Sequence, residues 1–491
     1  MTASARYALG IDVGGTHTDI ELVAIEDDPS FRHKIASTPE DPARAVTDGT
    51  REILALSRIA PEQIVYFAHG TTVATNALVQ GRTASTALVT TGGFRDVLEI
   101  RRQRQPHLYN LRVEKPAPPV PRNLRYEIGE RHYLFGRDGV EPDPCEVETL
   151  AAALAAAGVE AVAVCFLHSY DDSAHERSVG TQLREALPGV FVCLSSDVAP
   201  EPHEYERTST TAINACLGPV MSGYLARITT GARGNGLDVE PTILQSNGGV
   251  ASANDAANLP ARVLASGPAA GVMGALAVAN AVGLSDVITF DVGGTTADVC
   301  LVERGTPLVA SEREVAGYPI RFPMIDVHSV GAGGGSIAWI DSGGFMHIGP
   351  RSAGAAPGPA AYGRGGELPT VTDACLVLGH LSRHGLLAGR LPLDIDAARR
   401  AIESRIAEPL STPVEDAAAG MLTLLNENMV QAVRVISVER GFDPRCFALV
   451  AFGGAGPMLA GALARELAIG TVLIPPSPGL LCAQGLLAAD E

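Results

Sequence analysis

The chain has 491 residues, of which 46 % are hydrophobic and 19 % are charged. This composition is typical of a globular protein with two or three domains. Acidic residues outnumber basic residues by 55 to 37 and give a net charge of −18, so we expect no nucleic-acid partner and no anionic membrane surface. The eight cysteines form no CxxC pair and no signal peptide is evident, which together predict a cytoplasmic location.

Apolar segments of strand and helix type alternate along the chain. Tyr7 to Val13 and Asp19 to Ile25 are predicted strands that form a β-hairpin around Gly14-Gly15. Further on we expect helices at 42–57, 72–80, 150–157, 204–230 and 417–440, strands at 64–68, 84–90, 161–166 and 448–452, and an inserted excursion at about 101–145. The helix at 204–230 is expected to bend near Gly218-Pro219. The alternation predicts α/β layers.

One internal repeat divides the chain. Residues 11–22 read IDVGGTHTDIEL and residues 290–301 read FDVGGTTADVCL. The two copies share an aspartate, two glycines, a threonine and a second aspartate at the same spacing. A period this long excludes a solenoid, so the repeat predicts two related lobes, each opening with a strand, DVGGT and another strand.

The DVGGT segment has the chemistry of an anion-binding turn. Two glycines let backbone N–H groups approach a phosphate, and the threonine hydroxyl adds a donor. An aspartate would repel phosphate, so Asp12 and Asp291 are expected to act through the water shell of a magnesium ion. A plain glycine turn with an incidental aspartate is the alternative for a single copy. The candidate phosphate-binding residues are Gly14, Gly15, Thr16, Thr18, Gly293, Gly294, Thr295 and Thr296.

Two further glycine clusters and one strand end complete the candidate site. FGGAGP at 452–457 would let adenosine lie against backbone, and it contributes Gly453, Gly454 and Gly456. The segment 331–335 contributes Gly333 and Gly334. Neither cluster fits GxGxxG, so a Rossmann site is not supported. His69 and Thr71 lie at a predicted strand end, where polar side chains often face a cleft, and they are candidate catalytic residues beside Asp12 and Asp291.

Several blocks in order resemble the hydantoinase A / 5-oxoprolinase family of the actin-like ATPase superfamily. They are HGTTVATNAL (69–78), TTGGFRDVLEIRRQ (90–103), YERTSTTAINACLGPVMSGYL (205–225), EVAGYPIRFPMIDVHSVGAGGGSIAWID (314–341) and FGGAGP (452–457). The resemblance covers nearly the whole chain. It implies an α/β fold of two RNase H-like lobes, at 1–200 and 201–491, with a nucleotide cleft between them. The last helix, 479–489, is expected to pack back on the first lobe.

The resemblance also implies a function. Members of the family include ATP-dependent enzymes that phosphorylate a cyclic amide, such as a hydantoin, 5-oxoproline or a lactam, for ring opening. The implied cofactors are ATP and Mg²⁺, and the implied partner is a hydantoinase B-type subunit in a hetero-oligomer. The ATP-using subunit of a ketone carboxylase, a metabolite kinase and a non-catalytic nucleotide-gated ATPase remain alternatives that the residues do not separate.

Some positions depart from the family pattern. Ala356 and Ala361 stand where Asp and Cys are usual, Cys375 stands where Asn is common, and Leu459 replaces a typical His. The family's C-terminal domain is expected to be absent. Losing an Asp and a His near the expected site predicts an altered substrate or weaker catalysis.

Overall fold

The computed structural model describes residues 6–489 except 16, 27–29, 106, 111, 135–138, 383, 387–388 and 390. Its internal contacts divide the chain into two units. The first contains the described residues up to Gly267 together with Val309–Met324, and the second contains Pro268–Leu308 and Ile325–Ala488. This division differs from the expected boundary near residue 200, because the long helix that begins at Glu204 packs inside the first unit.

The helices and strands follow in chain order. Before the division they are β1 (Tyr7–Val13), β2 (His17–Ala24), β3 (Ser30–Ala36), α1 (Pro42–Ser57), β4 (Ile64–Thr71), α2 (Val73–Val79), β5 (Thr86–Thr91), α3 (Val97–Ile100), β6 (Arg125–Ile128), α4 (Pro144–Ala157), β7 (Ala161–Cys165), α5 (Ala174–Ala186), β8 (Phe191–Leu194), α6 (Ser195–Val198), α7 (Glu204–Gly234), β9 (Thr242–Leu244), β10 (Val250–Ser252) and α8 (Ala253–Asn258).

After it come α9 (Ser266–Ala281), β11 (Val287–Val292), β12 (Ala297–Glu303), β13 (Thr306–Pro307), β14 (Val309–Ala310), β15 (Arg313–Val315), β16 (Tyr318–Ile320), β17 (Met324–Ile325), β18 (His328–Val330), β19 (Ser336–Ile340), β20 (Met346–Ser352), α10 (Val371–Val377), α11 (Ile395–Ile402), α12 (Glu408–Leu410), α13 (Val414–Ile436), β21 (Ala448–Phe452), α14 (Gly456–Glu466), β22 (Val472–Leu473) and α15 (Leu481–Leu487).

The two units carry sheets with the same topology. In the first unit the strands are ordered β3-β2-β1-β4-β9-β10, with β1, β2 and β3 antiparallel and β1, β4 and β9 parallel. In the second unit the order is β13-β12-β11-β21-β22, again an antiparallel hairpin followed by parallel strands. The duplication read from the DVGGT repeat is therefore present in the topology of both sheets.

The first unit also holds a second sheet that the sequence did not reveal. Strands β5, β6, β7 and β8 form a parallel sheet in the order β6-β5-β7-β8. The predicted strands at 84–90 and 161–166 exist, but they belong to this separate sheet. The expected excursion at 101–145 is only partly irregular, because β6 and the start of α4 fall inside it.

Helix α7 joins the two sheets of the first unit. It runs unbroken from Glu204 to Gly234 and includes Pro219, so the expected bend does not interrupt it. Gly218 is required there, since a Cβ atom would lie 2.5 Å from the ring of Phe191. Ala212 and Ala215 pack against the β5–β8 sheet, whereas Ile213, Leu217 and Met221 pack against the β1–β4 side.

The last helix, α15, belongs to the second unit and packs on α9. The contact is close because both helices use glycine, and a Cβ atom on Gly485 would lie 1.8 Å from the carbonyl oxygen of Ala270. The expected packing on the first lobe stays a prediction. None of the described helices is both long and apolar enough to cross a membrane.

Candidate functional site

The first DVGGT hairpin is closed by its backbone and braced by side chains. Gly14 donates its N–H to the carbonyl oxygen of His17 at 3.0 Å, and Gly15 is exposed. The hydroxyl of Ser37 donates to the carbonyl oxygen of Gly14 at 2.8 Å and lies 3.1 Å from the hydroxyl of Thr18. Thr18 is fully buried, so it supports the loop from below rather than facing a ligand as expected. Thr16 lies outside the described residues.

Asp12 lies at the end of β1 in a buried, electrostatically coupled position. It pairs in register with Asp19 on β2, and Asp19 forms an ion pair of 2.7 Å with Lys34 on β3. Burial, and then the charge of Asp19, raises the pKa of Asp12 to about 7, whereas Lys34 acts to lower it. The Oδ1 atom of Asp12 is buried and accepts no hydrogen bond from the described residues. A buried carboxylate with a spare oxygen fits a nearby hydrated cation, because a positive charge would restore its ionised form.

His69 is an interior residue. It is fully buried, and its Nδ1–H donates to the carbonyl oxygen of Ile11 at 3.0 Å, so its Nε2 accepts from the hydroxyl of Tyr224 at 2.9 Å. Thr71 is also buried and donates to the Tyr224 oxygen at 3.3 Å. Burial lowers the pKa of His69 to about 4, which keeps the ring neutral. Both predicted catalytic side chains are thus buried, and both bond to the hydroxyl of Tyr224 rather than reaching the surface.

The second DVGGT hairpin is braced largely by backbone hydrogen bonds. Gly293 donates to Thr296 at 3.0 Å, as Gly14 does in the first hairpin. Gly334 and Gly335 then donate to the carbonyl oxygens of Gly293 and Gly294 at 3.0 and 2.7 Å. Gly333 is buried, and a Cβ atom there would lie 2.9 Å from the carbonyl oxygen of Gly293. The loop residues left exposed are Gly294, Thr295 and Thr296.

The FGGAGP segment meets this same hairpin. Ala455 donates its N–H to the carbonyl oxygen of Val292 at 2.8 Å. Gly453 has φ +78°, and a Cβ atom on it would lie 2.2 Å from Oδ1 of Asp291. Asp291 is half-buried, with Sγ of Cys482 3.8 Å from its Oδ2. Gly454 is exposed beside them, and Gly456 is buried at the start of α14. The second unit therefore gathers all three of its predicted glycine segments at one hairpin.

Sequence reasoning missed the residues that support these loops. Ser37, Lys34 and Tyr224 support the first hairpin, and Thr372 supports the second through a 2.8 Å bond to the carbonyl oxygen of Gly334. Thr372 lies within the capping box that Thr370 forms with Asp373 at the start of α10, and the spacing of that box is readable from sequence. Lys34 also carried a signal, as one of only two lysines in the chain.

The departures from the family pattern lie mostly in the interior. Ala361, Cys375 and Leu459 are all buried, with Leu459 in the main core of the second unit, and Ala356 is exposed. No group of three or more His, Cys, Asp or Glu side chains suited to direct metal coordination occurs among the described residues.

Two family models match the chain. Residues 8–187 match the hydantoinase/oxoprolinase N-terminal region, and residues 207–491 match hydantoinase/oxoprolinase. The chain belongs to the hydantoinase/oxoprolinase family. The resemblance inferred from the sequence blocks is thereby confirmed.

Relatives within the family share both sequence and structure with the chain. The caprolactamase subunit alpha of Pseudomonas jessenii is 42 % identical over 99 % of this chain and 70 % of its own length. The crystal structure of that ATP-dependent caprolactamase superposes with a TM-score of 0.86, covering 98 % of this chain and 70 % of that chain at 40 % identity.

Ketone carboxylases form a second group of relatives. The acetophenone carboxylase gamma subunit of Aromatoleum aromaticum is 35 % identical over 99 % of this chain and 68 % of its own length. A nucleotide-free structure of acetone carboxylase, studied for ATP-dependent acetone carboxylation, gives a TM-score of 0.84 at 29 % identity, covering 99 % of this chain and 71 % of that chain. The family thus includes both amide-opening and carboxylating enzymes.

Proposed function

We propose that this chain is the ATP-using component of an enzyme that phosphorylates a cyclic amide so that its ring can be opened. The observation that carries the proposal is the pair of DVGGT hairpins, one in each unit, with the same register and an aspartate at the same strand position. The caprolactamase relative, at 42 % identity, supports a cyclic amide as the substrate class.

The residues present fit Mg-ATP. Asp12 and Asp291 would hold the water shell of the metal ion, and the backbone N–H groups of the two glycine turns would hold phosphate oxygens. When bound, Mg-ATP would supply the phosphoryl group that activates the amide carbonyl carbon, so that water can add there, the ring C–N bond can break and phosphate is released. Asp12 changes its charge on loading, because a cation near its unpartnered Oδ1 would lower a pKa of about 7 and favour the carboxylate. Lys34 holds Asp19 in place beside it.

The first test removes each aspartate charge separately. Asp12→Asn and Asp291→Asn should each lower Mg-dependent ATP turnover by roughly 10²–10³-fold, the scale of losing one preorganised electrostatic group. Asp238→Asn, at an exposed position in the first unit, is the matched control and should leave turnover unchanged. Calorimetry with Mg-ATP and phosphate release are measured on folded variants. Full turnover in either site variant would remove that aspartate from the site.

A ketone carboxylase subunit is the second candidate function, favoured by the acetophenone carboxylase relative at 35 % identity. Product analysis with hydantoins, 5-oxoproline, caprolactam and ketones separates the candidates. A ring-opened acid with free phosphate supports the amidase, and a carboxylated ketone supports the carboxylase. A stable phosphorylated metabolite would indicate a kinase instead.

We also propose that the chain works with a hydantoinase B-type partner. Its relatives in caprolactamase and acetophenone carboxylase are themselves subunits, which supports this proposal. Alone, the chain should hydrolyse ATP slowly and form little product, and the partner should make ATP use depend on substrate. Stoichiometric product from the isolated chain, at the rate of the complex, would contradict the proposal.

A further inference from the structure

A charged cavity in the first unit lies far from the DVGGT hairpin. Its volume is about 750 Å³, and its walls come from residues 101–105 and 115–116, the start of α7 and the β15–β16 hairpin. Glu206 in its wall and Tyr224 beneath Asp12 lie on the same helix. At 1.5 Å per residue their positions are about 27 Å apart along the axis, so the cavity is separate from the Asp12 loop.

The walls of this cavity are tied to one another. The guanidinium of Arg101 donates to the carbonyl oxygen of Pro116, and the hydroxyl of Tyr318 donates to the carbonyl oxygen of Ala117 at 2.8 Å. Gly317 packs so closely that a Cβ atom would lie 2.4 Å from Pro116. These contacts tie Pro116 and Ala117 to the β15–β16 hairpin and Arg101 to Pro116, so the described charged side chains project from a built frame.

Two of the cations in the wall are already neutralised. Arg102 donates to both carboxylate oxygens of Glu206, at 2.7 and 2.6 Å. Arg321 pairs with Glu201, and a second carboxylate, that of Glu312, lies 3.8 Å from it. These pairs form walls of low net charge and leave few donors for a ligand.

The remaining charges have no opposite partner. Arg104 and Lys115 form no ion pair with a described residue, and Arg101 bonds only to a carbonyl. On the other side, Glu314 lines the cavity without a cationic partner among the described residues. The positive end of α7, 31 residues long, adds to the cationic side. Among the described residues the cavity therefore offers an anion-binding face formed by Arg101, Arg104 and Lys115, and opposite it a carboxylate, that of Glu314, with no cationic partner.

We propose that this cavity binds a zwitterionic amino acid, whose carboxylate meets Arg104 and Lys115 and whose ammonium meets Glu314. A simple anion would leave Glu314 as an unpaired repulsive charge, and a simple cation would face three positive side chains. The volume is in the range of small-molecule sites. Opening a lactam ring releases an amino acid of this kind, so the further assignment of the cavity as a product site rests on the proposed function.

Calorimetry on the full chain without nucleotide tests the site. The ligands are 6-aminohexanoate and L-glutamate, with hexanoate and hexylamine as analogues that each carry one charge. We expect at least one amino acid to bind, with both single-charge analogues at least 10-fold weaker. The double variant Arg104→Gln with Lys115→Gln should weaken amino-acid binding by 10-fold or more. Arg112→Gln, on an exposed residue of the same segment outside the cavity wall, is the matched control and should bind normally.

A second variant separates a zwitterion site from a plain anion site. Glu314→Gln should weaken the amino acid but leave hexanoate unchanged or tighter, because it removes only the ammonium partner. Hexanoate binding as tightly as the amino acid, or no binding by either amino acid, would overturn the proposal. Asp12→Asn should keep amino-acid binding while losing ATP turnover, so failure of the proposed function and failure of this site give different results.

Discussion

The two DVGGT hairpins have the same turn but different support. In both, the first glycine donates to the carbonyl oxygen three residues on, and the two aspartates face each other in register. The first turn is held by side chains, through Ser37 to Gly14 and Lys34 to Asp19. The second is held largely by backbone N–H groups of Gly334, Gly335 and Ala455, with the hydroxyl of Thr372 bonded to Gly334 behind them. The turn is the same in both units, but different groups hold it in each unit.

This difference decides which substitutions each hairpin can tolerate. A side-chain brace loses one or two hydrogen bonds when it is truncated, and each is worth about 1 kcal/mol net. A backbone brace leaves no room for an added methyl group, so substitution forces the chain itself to move. Substitutions that add volume should therefore destabilise the second hairpin more than the first. Substitutions that remove a polar group should destabilise the first hairpin more than the second.

The largest effect is expected at Gly453. Gly453→Ala places a Cβ atom against Asp291 and imposes a positive φ on alanine, which together should cost roughly 2–4 kcal/mol of stability. ATP affinity should fall at least 10-fold because Asp291 is displaced. Gly461→Ala, on the exposed side of α14 with open space around its Cβ position, is the control. Equal melting temperatures and affinities for the two variants would contradict the backbone brace.

A smaller effect is expected in the pH dependence at Asp12. The pKa of this carboxyl is about 7 in the folded chain, and about 3.9 is usual in an unfolded chain. Between these values the folded state binds the extra proton, so stability falls as pH rises from 4 to 7. Because one pKa unit is worth about 1.4 kcal/mol, the wild type should lose roughly 2 kcal/mol or more relative to Asp12→Asn.

Urea unfolding at pH 5, 6 and 7 without magnesium measures this difference. Asp291→Asn is the matched variant in the second hairpin, where the aspartate is only half-buried. Parallel pH curves for wild type and Asp12→Asn would show that Asp12 does not titrate between pH 5 and 7. The burial of Asp12 would then have no effect on its charge in this range.

The smallest effect is expected at Ser37. Ser37→Ala removes the hydroxyl that bonds to Gly14 and lies beside Thr18, and should cost about 1 kcal/mol. The KM for ATP should rise a few-fold with little change in kcat, because the turn loosens but the charges remain. Ser178→Ala, on the exposed face of α5, should change neither constant. An unchanged KM at Ser37 would mean that the side-chain brace is dispensable.

Much of the fold follows from local patterns. The hairpins, the long helix from Glu204 and the glycine segments were all predictable, because each depends on periodicity or on residues suited to tight turns. The grouping of β5 to β8 into a separate sheet was not predictable, because the sequences of four short apolar strands do not indicate which strands pair with each other. The same holds for the division at Gly267, which depends on where α7 packs.

In the candidate site, the orientation of side chains was likewise not predictable from the sequence. The sequence placed His69, Thr71 and Thr18 near the right strands, but it could not show which face of the strand each one occupies. All three are buried, since their hydroxyl or ring groups find partners in the interior. Tyr224 lies 155 residues beyond His69, and no local pattern reveals a hydrogen bond across that separation.

The position of α7 has a consequence for how the first unit unfolds. Its residues from Glu206 to Gly218 are all buried, and they join the interiors of two different sheets. Neither sheet can open locally without exposing a face of this helix, so we expect the two to lose their protection against amide hydrogen exchange as one cooperative unit. The β5–β8 sheet, although its strands lie between β4 and β9 in the chain, should thereby unfold together with the first DVGGT hairpin.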